Sequence, residues 1–303
     1  MDEHLMINPR IEPLPYGLKR PFRGRAVVDA GLLTDYQLRT AYRAIYRNIY
    51  LANDIELTAR LRAEAAWMFA GPGAVLTGLS AAAVHGVQWL DPRAPAEIIR
   101  ADRRAPSDLQ VRNYSLAPES ICIVDGMSLT TPVRTALDIG RLLPLEQAVP
   151  ILDALIRQTR LDREQVWALV AANRGIRGIE CCYNAFARSD GGAATSFQSQ
   201  VRLVVGRACE WPIKTQIPFY DEWGLVATRA MMGWPQLTLA IECDERTDGD
   251  VAYRTRMLAH TTELELLGWR VVWVTPPMMR EPVQVFRRVQ KEALAARDRL
   301  RRR

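Results

Sequence analysis

The stretch Met231 to Glu245, "MMGWPQLTLAIECDE", holds the residues best placed to do chemistry. A Gly-Trp-Pro-Gln turn separates two apolar runs, so the flanking segments are expected to pair as a hairpin. On the second run Ala240, Glu242 and Asp244 share one face, while Leu239, Ile241 and Cys243 share the other, because strand side chains alternate. Two carboxylates on one face of an apolar strand suit phosphodiester hydrolysis, where they hold Mg²⁺ against substrate oxygens and an attacking water. A magnesium site takes one or two carboxylates together with water and phosphate, which makes Glu242 and Asp244 the candidate metal pair. The neighbouring strand presents Met231 where a third acid is wanted, and a thioether is a poor ligand for so hard an ion. Asp221 and Glu222 compensate only if the strand register brings them close.

Other chemistries find less support. Five cysteines (Cys122, Cys181, Cys182, Cys209, Cys243) form no CxxC pair, and the three histidines (His4, His85, His260) stand at no ligand spacing from them. This argues against a structural zinc site and for reduced thiols in a core. The start "MDEHLMINPR" is acidic and polar, unlike a signal peptide, and a cytoplasmic protein is expected. The uncharged run Ala65 to Leu90 is interrupted by Gly71-Pro72-Gly73, so two buried segments joined by a turn are expected rather than a membrane span. Net charge is +6, carried almost wholly by arginine, since lysine occurs only at Lys19, Lys214 and Lys291. Such a charge permits nucleic-acid binding without demonstrating it.

Three regions are expected over the 303 residues. In the first, residues 1–55, "RGRAVVDAG" suits a short helix stopped by Gly31. "TDYQ" (Thr34 to Gln37) has the form of a capping box, opening a helix whose buried stripe would be Leu38, Ala41, Tyr42 and Ile45. "AIYRNIYL" then alternates like a hairpin turning at Arg47-Asn48. Helix, turn, helix and hairpin suggest a winged helix-turn-helix. Seven basic residues against two acids between Lys19 and Arg47 make Arg39, Arg43 and Arg47 the candidate DNA contacts. The bland alternative is a solvated helix face.

The second region, residues 56–190, mixes helices (Glu56 to Ala70, Asp162 to Ala172, the Cys181-Cys182 segment) with strands in "AEIIRA" and "LQVRNYSL". Thr131 and Pro132 should open another helix, on which Arg134 and Asp138 stand at salt-bridge spacing, expected at a surface or between domains. "SDGGAATS" (Ser189 to Ser196) is expected to be a linker. The third region, residues 195–303, has a helix from Ser196 to Arg207, strands in "IKTQIPF", "LVATRAM", "LTLAIEC" and "WRVVWVT", a helix around Tyr253 to Leu267, and a basic helix from about Glu281. "WRVVWV" is apolar on both faces, as in a strand covered by helices on each side. The fold class expected is α/β (α+β overall).

The runs "PFRGRAVVDAGLLT", "GLSAAAVHG", "TTPVRTALDIGR", "GWP" and "LGWRVVWV" resemble those of a family of actinobacterial proteins. The N-terminal part of that family is similar to AbiEi-type antitoxins of type IV toxin–antitoxin systems. Its C-terminal part is similar to the very-short-patch repair endonuclease of the PD-(D/E)xK superfamily. The resemblance implies a winged helix, an AbiEi-like middle domain and a restriction-endonuclease-like α/β/α domain. It departs from the family at the chemistry. In "TSFQSQVR" Gln198 stands for a glutamate while Arg202 keeps its arginine. In "MMGWP" Met231 replaces the metal-binding aspartate. In "ECDERTD" Glu242 and Asp244 remain, Glu245 replaces a glycine, and no histidine follows. An acid expected on the helix before "LGW" falls near Met257.

With aspartate, glutamate and histidine all replaced, no metal or other cofactor is expected. Glu242 and Asp244 are then expected to persist as paired polar residues with Arg202 or another arginine nearby. Arg202 and the C-terminal Arg287, Arg288 and Lys291 add candidate backbone contacts to double-stranded DNA. The expectation is a non-catalytic DNA-binding regulator of antitoxin or repressor type, for which the resemblance implies a nucleotidyltransferase toxin as partner. The alternatives are a Mg²⁺-dependent endonuclease using Glu242 and Asp244, and a protein-interaction scaffold. A small-molecule substrate is not expected.

Overall fold

Thr34 opens a helix as a capping box should: its Oγ1 accepts the Gln37 N–H at 3.2 Å, and the Gln37 amide oxygen accepts the Thr34 N–H at 2.9 Å. A computed structural model describes residues 19–102, 104–246 and 250–301. His4, the start of the first region, Thr247, Asp248, Arg302 and Arg303 lie outside the described residues. The chain is mixed α/β and divides into two units, one of residues 1–84 and 88–131, the other of 85–87 and 132–303. The span 56–190 is therefore shared between the units.

The first unit begins with β1 (Phe22–Arg23), α1 (Gly24–Asp29), α2 (Asp35–Ala41), β2 (Tyr42–Tyr46) and β3 (Ile49–Ala52). These strands form a sheet in the order β1-β3-β2, with β2 and β3 joined by the two-residue turn Arg47-Asn48, Asn48 taking a left-handed φ of +64°. The expected helical stripe over Tyr42 and Ile45 is corrected. The helix stops at Ala41, and Tyr42 pairs with Ala52 across the sheet. The aromatic and β-branched run Tyr42, Ile45, Tyr46 favours the pleated surface over another helical turn.

The unit continues through α3 (Ala59–Ala70), β4 (Val75–Leu76), α4 (Gly78–Val84), β5 (Ala96–Ile99), β6 (Leu109–Arg112), β7 (Ile121–Val124) and β8 (Met127–Thr130). Its second sheet runs β6-β5-β4-β8-β7. The uncharged run from Ala65 thus becomes two buried helices separated by a short strand. Among the described residues no helix is long and apolar enough to cross a membrane. Glu97 anchors α4 from below, accepting the Leu79 N–H at 3.1 Å and the Arg112 guanidinium at 2.7 Å.

The second unit opens with five helices: α5 (Pro132–Leu142), α6 (Leu145–Thr159), α7 (Arg163–Ala172), α8 (Ile179–Ala187) and α9 (Ser196–Val205). Asp138 is wholly buried between Arg134 at 3.0 Å and Arg141 at 2.9 Å, so the expected surface bridge is a core network. Cys182 is buried against Gly140, whereas Cys181 is exposed, which corrects the expectation of two core thiols. The stretch expected as a linker is also corrected. Its Asp190 N–H donates to Asp153 Oδ1 at 2.5 Å, and Ser189 and Ala193 are buried. Its small residues allow close packing there, not freedom.

After α9 come β9 (Lys214–Tyr220), β10 (Val226–Trp234), β11 (Leu239–Cys243), α10 (Val251–Leu266), β12 (Arg270–Val274) and α11 (Pro282–Arg301). The sheet runs β12-β11-β10-β9, antiparallel except for the β11–β12 pair. One face packs Met232, Trp234, Ile241 and Val272 against Val201 and Val205 of α9 and Val285 and Val289 of α11. The other packs Ile217, Ala230 and Ala240 against Leu264 of α10. The β10–β11 hairpin forms as expected, turning at Pro235–Leu237, and the close approach of the two strands demands glycine at 233 on β10. There φ is +155°, and a Cβ would lie 2.1 Å from the Leu239 carbonyl oxygen.

Candidate functional site

Glu242 stands in the middle of β11 on the α10-facing side of the sheet, 0% exposed. Its Oε1 accepts the backbone N–H of Met231 at 2.9 Å. The methionine is turned back on the same pair of strands, where its Sδ accepts the Cys243 N–H at 3.3 Å. Position 231 therefore closes two backbone groups around the glutamate without supplying an oxygen. Local distortion accompanies this: Gln216 on β9 takes a left-handed φ of +50°, between the pairs Ile217–Ala230 and Thr215–Met232.

Glu242 Oε2 has no hydrogen bond among the described residues; His260 Nε2 on α10 lies 3.5 Å from it. The other ring nitrogen, Nδ1, lies 3.2 Å from Thr228 Oγ1 on β10. The Glu242 carboxylate raises the His260 pKa above its ordinary 6.5; partial burial works against this, and Glu263 adds to it. The result is a carboxylate–imidazole–hydroxyl line running from β11 through α10 to β10. His260 is the site residue that sequence reasoning missed. The signal was available in helical spacing: Tyr253, Met257, His260 and Leu264 fall on one side of a helix, so the side that carries Met257 also carries a histidine.

Asp244 does not join Glu242. β11 ends at Cys243, and the Asp244 N–H donates to the Val274 carbonyl while its Oδ1 accepts the Arg246 N–H at 3.1 Å. Tyr253 lies beside Asp244. Burial, then the charge and hydrogen bond of Asp244, raise the pKa of the phenol. Asp221 is held in the β9–β10 turn, where its Oδ1 accepts the Trp223 and Leu225 N–H groups, at the opposite end of β10 from Met231. Among the described residues no three acidic, histidine or cysteine side chains converge on a point that would hold a metal ion. The groups shown beside the free Glu242 oxygen amount to one imidazole, which does not fit Mg²⁺.

Gln198 is occupied in a helix start. Its N–H reaches Thr195 Oγ1 at 3.2 Å and its Oε1 accepts the Ala194 N–H at 2.8 Å. Thr195 in turn donates its hydroxyl to Glu245 at 2.5 Å. A glutamate at 198 would cap equally well, so the local fold does not distinguish the two residues. Arg202 is corrected twice over. It is 6% exposed, donates to Asp153 Oδ2 and to the Arg188 carbonyl at 2.6 Å each, and is neither the partner of Glu242 nor open to DNA. Burial raises the Asp153 pKa, and Arg202 is the largest force opposing that rise.

The N-terminal arginines divide in the same way. Arg43 spends its guanidinium on the carbonyls of Ala52, Asn53 and Ile55, and is withdrawn from the DNA set. Arg20 pairs with Glu64, Arg23 reaches the Met68 carbonyl, and Arg25 pairs with Asp29. Arg39 on α2 and Arg47 in the hairpin turn are exposed and carry no such partner among the described residues. On α11, Arg287 and Lys291 are exposed as well, and Arg288 leans on Met278 Sδ at 3.8 Å.

Comparison with known proteins adds two relatives. The uncharacterized proteins MT2308 and Rv2248 of Mycobacterium tuberculosis (strains CDC 1551 and H37Rv) are each 28% identical over 267 residues, covering 84% of this chain and 93% of theirs. No protein-family model matches the chain, and no solved structure matches it significantly.

Proposed function

We propose that this chain is a non-catalytic DNA-binding regulatory protein of antitoxin or repressor type, whose second unit retains the frame of an endonuclease without its metal centre. One observation supports the reading: Met231, which by resemblance stands where a metal-binding acid is expected, uses its sulfur and its N–H to bind backbone and carboxylate. Glu242 lies 3.5 Å from the His260 imidazole, whose pKa the carboxylate raises. A buried carboxylate needs such a partner, because an uncompensated buried charge costs several kcal/mol.

The DNA-binding part of the reading rests on the first unit. The order β1-α1-α2-β2-β3, with β1 beside β3, is compatible with a helix-turn-helix followed by a wing, in which α2 would be the element to enter a major groove. Arg39 on that helix and Arg47 at the wing tip are the expected contacts. Arg287, Arg288 and Lys291 on α11 would bind backbone phosphates. By resemblance alone, a nucleotidyltransferase toxin is the expected protein partner, to be sought by co-purification from cells expressing both.

Two assays on the purified protein test the reading. A gel-shift titration with duplex DNA should show affinity falling steeply with salt, as phosphate contacts require; a flat dependence removes DNA binding. A nicking assay with Mg²⁺ or Mn²⁺ should give no cleavage. Cleavage that disappears in Glu242→Ala would instead establish the endonuclease alternative, which the unbonded Glu242 Oε2 favours.

A further inference from the structure

α10 has two faces. Tyr253, Met257, His260, Thr261 and Leu264 turn toward the sheet, and Leu264 alone is fully buried. At 100° per residue, Val251, Thr255, Leu258, Thr262 and Leu266 form a second stripe on the opposite side of the helix. It is open to solvent: Val251 and Leu258 are each 69% exposed and Leu266 is 84% exposed. A surface helix needs only one apolar stripe, and the outward side is where charge is expected.

The charges on α10 lie instead along the edges of the outward stripe, in an ordered pattern. Arg254 and Glu265 border one edge; Arg256 and Glu263 border the other. On both edges the base lies toward the N-terminus and the acid toward the C-terminus. The two pairs also share one midpoint, between Ala259 and His260. Two copies of this helix packed antiparallel about a two-fold axis at that midpoint would bring like edges together. Arg256 would then face Glu263 of the second copy, and Arg254 its Glu265, on both sides of the seam. The apolar stripe is self-complementary about nearly the same centre, with Val251 opposite Leu266 and Thr255 opposite Thr262. A partner of another kind would have no reason to meet two mirrored base–acid pairs sharing one centre.

We infer that the outward face of α10 is an isologous dimer interface, occupied by α10 of a second copy of this chain. The inference is independent of the proposed function. A seam along one helix of about 24 Å is smaller than a standard interface of about 800 Å² per partner, so association should be reversible and concentration-dependent.

Sedimentation velocity over a wide concentration range tests this with the full chain. The parent should move from monomer toward dimer mass as concentration rises. Arg256→Glu and Glu263→Arg, each alone, place like charges across the seam and should stay monomeric where the parent is dimeric. An equimolar mixture of the two variants should recover dimer mass, because every cross-seam pair becomes one acid and one base. Leu258→Glu should stay monomeric alone and in either mixture. All these positions are exposed, and circular dichroism should show unchanged folds. The inference is overturned by a parent that remains monomeric throughout, by single reversals that leave the dimer intact, or by a mixture that fails to restore it.

Discussion

Placing an aspartate at position 231 would add a second carboxylate close to a glutamate that is already wholly buried. It would also remove the sulfur that accepts the Cys243 N–H. Met231→Asp should therefore melt below the parent at neutral pH, and Mn²⁺ should raise the melting temperature of the variant by mass action but not that of the parent. A variant indifferent to Mn²⁺ would mean that the remaining donors are too far apart even with oxygen restored. His260 gives the complementary test. Its pKa is raised in the folded chain, so the stability it contributes is full below the unfolded value of about 6.5 and is lost as pH climbs through the higher folded value. Thermal unfolding from acid to mildly alkaline pH should show that decline. His260→Ala should lose it and should be less stable at low pH by about 1–2 kcal/mol, less than for a fully buried pair since the imidazole is partly exposed. Glu242→Gln in that background should recover part of the loss. The acid at 242 was legible in the sequence, because strand alternation alone places it, whereas an aspartate expected at 231 is implied only by the resemblance. The histidine was only half legible: helical spacing puts it on the side of Met257, but its approach to Glu242 depends on how α10 crosses the sheet.

At the level of elements, capping chemistry and turn residues were read correctly where the interaction is local. The Thr34–Gln37 box, the Arg47-Asn48 turn and the strands of the second unit all depend on residues within a few positions of each other. Thr34→Ala should cost about 1 kcal/mol, measured by denaturant unfolding, since it leaves helix donors without partners. The boundary between α2 and β2 was not legible, because Tyr42 and Ile45 satisfy a helical stripe and a strand equally well in sequence. Pairing with β3, a tertiary event, decides it. That one boundary changes the DNA prediction. Arg43 leaves the helix and is consumed by three carbonyls, whereas Arg39 and Arg47 remain available. Arg39→Ala and Arg47→Ala should each weaken DNA binding and lower the salt slope by about one unit. Arg43→Ala should leave the slope unchanged and lower the melting temperature. The opposite ranking would restore the longer helix.

For the molecule as a whole, the sequence suggested a break in the glycine-rich stretch Ser189 to Ser196, yet the structural division falls at Thr131–Pro132. Composition is blind to this difference. Glycine and serine mark chain freedom only when nothing packs on them, and here Gly191 lies against Ile156 while Asp153 captures the Asp190 N–H. Asp153 also receives Ser199 and Arg202, so α6 and α9 share one buried polar centre from opposite sides of the expected linker. Such a centre is sensitive to removal of a single member, because the remaining charge stays buried. Asp153→Ala should cost about 3–5 kcal/mol, the range for breaking a buried pair, and should strand the Arg202 guanidinium. Because the network ties the helical half of the second unit to its sheet, the loss should appear as one cooperative transition for α5–α9 and β9–β12 together, followed by hydrogen exchange. A flexible linker at 189–196 would give a different result: the sheet would keep its protection while α5–α8 exchanged early.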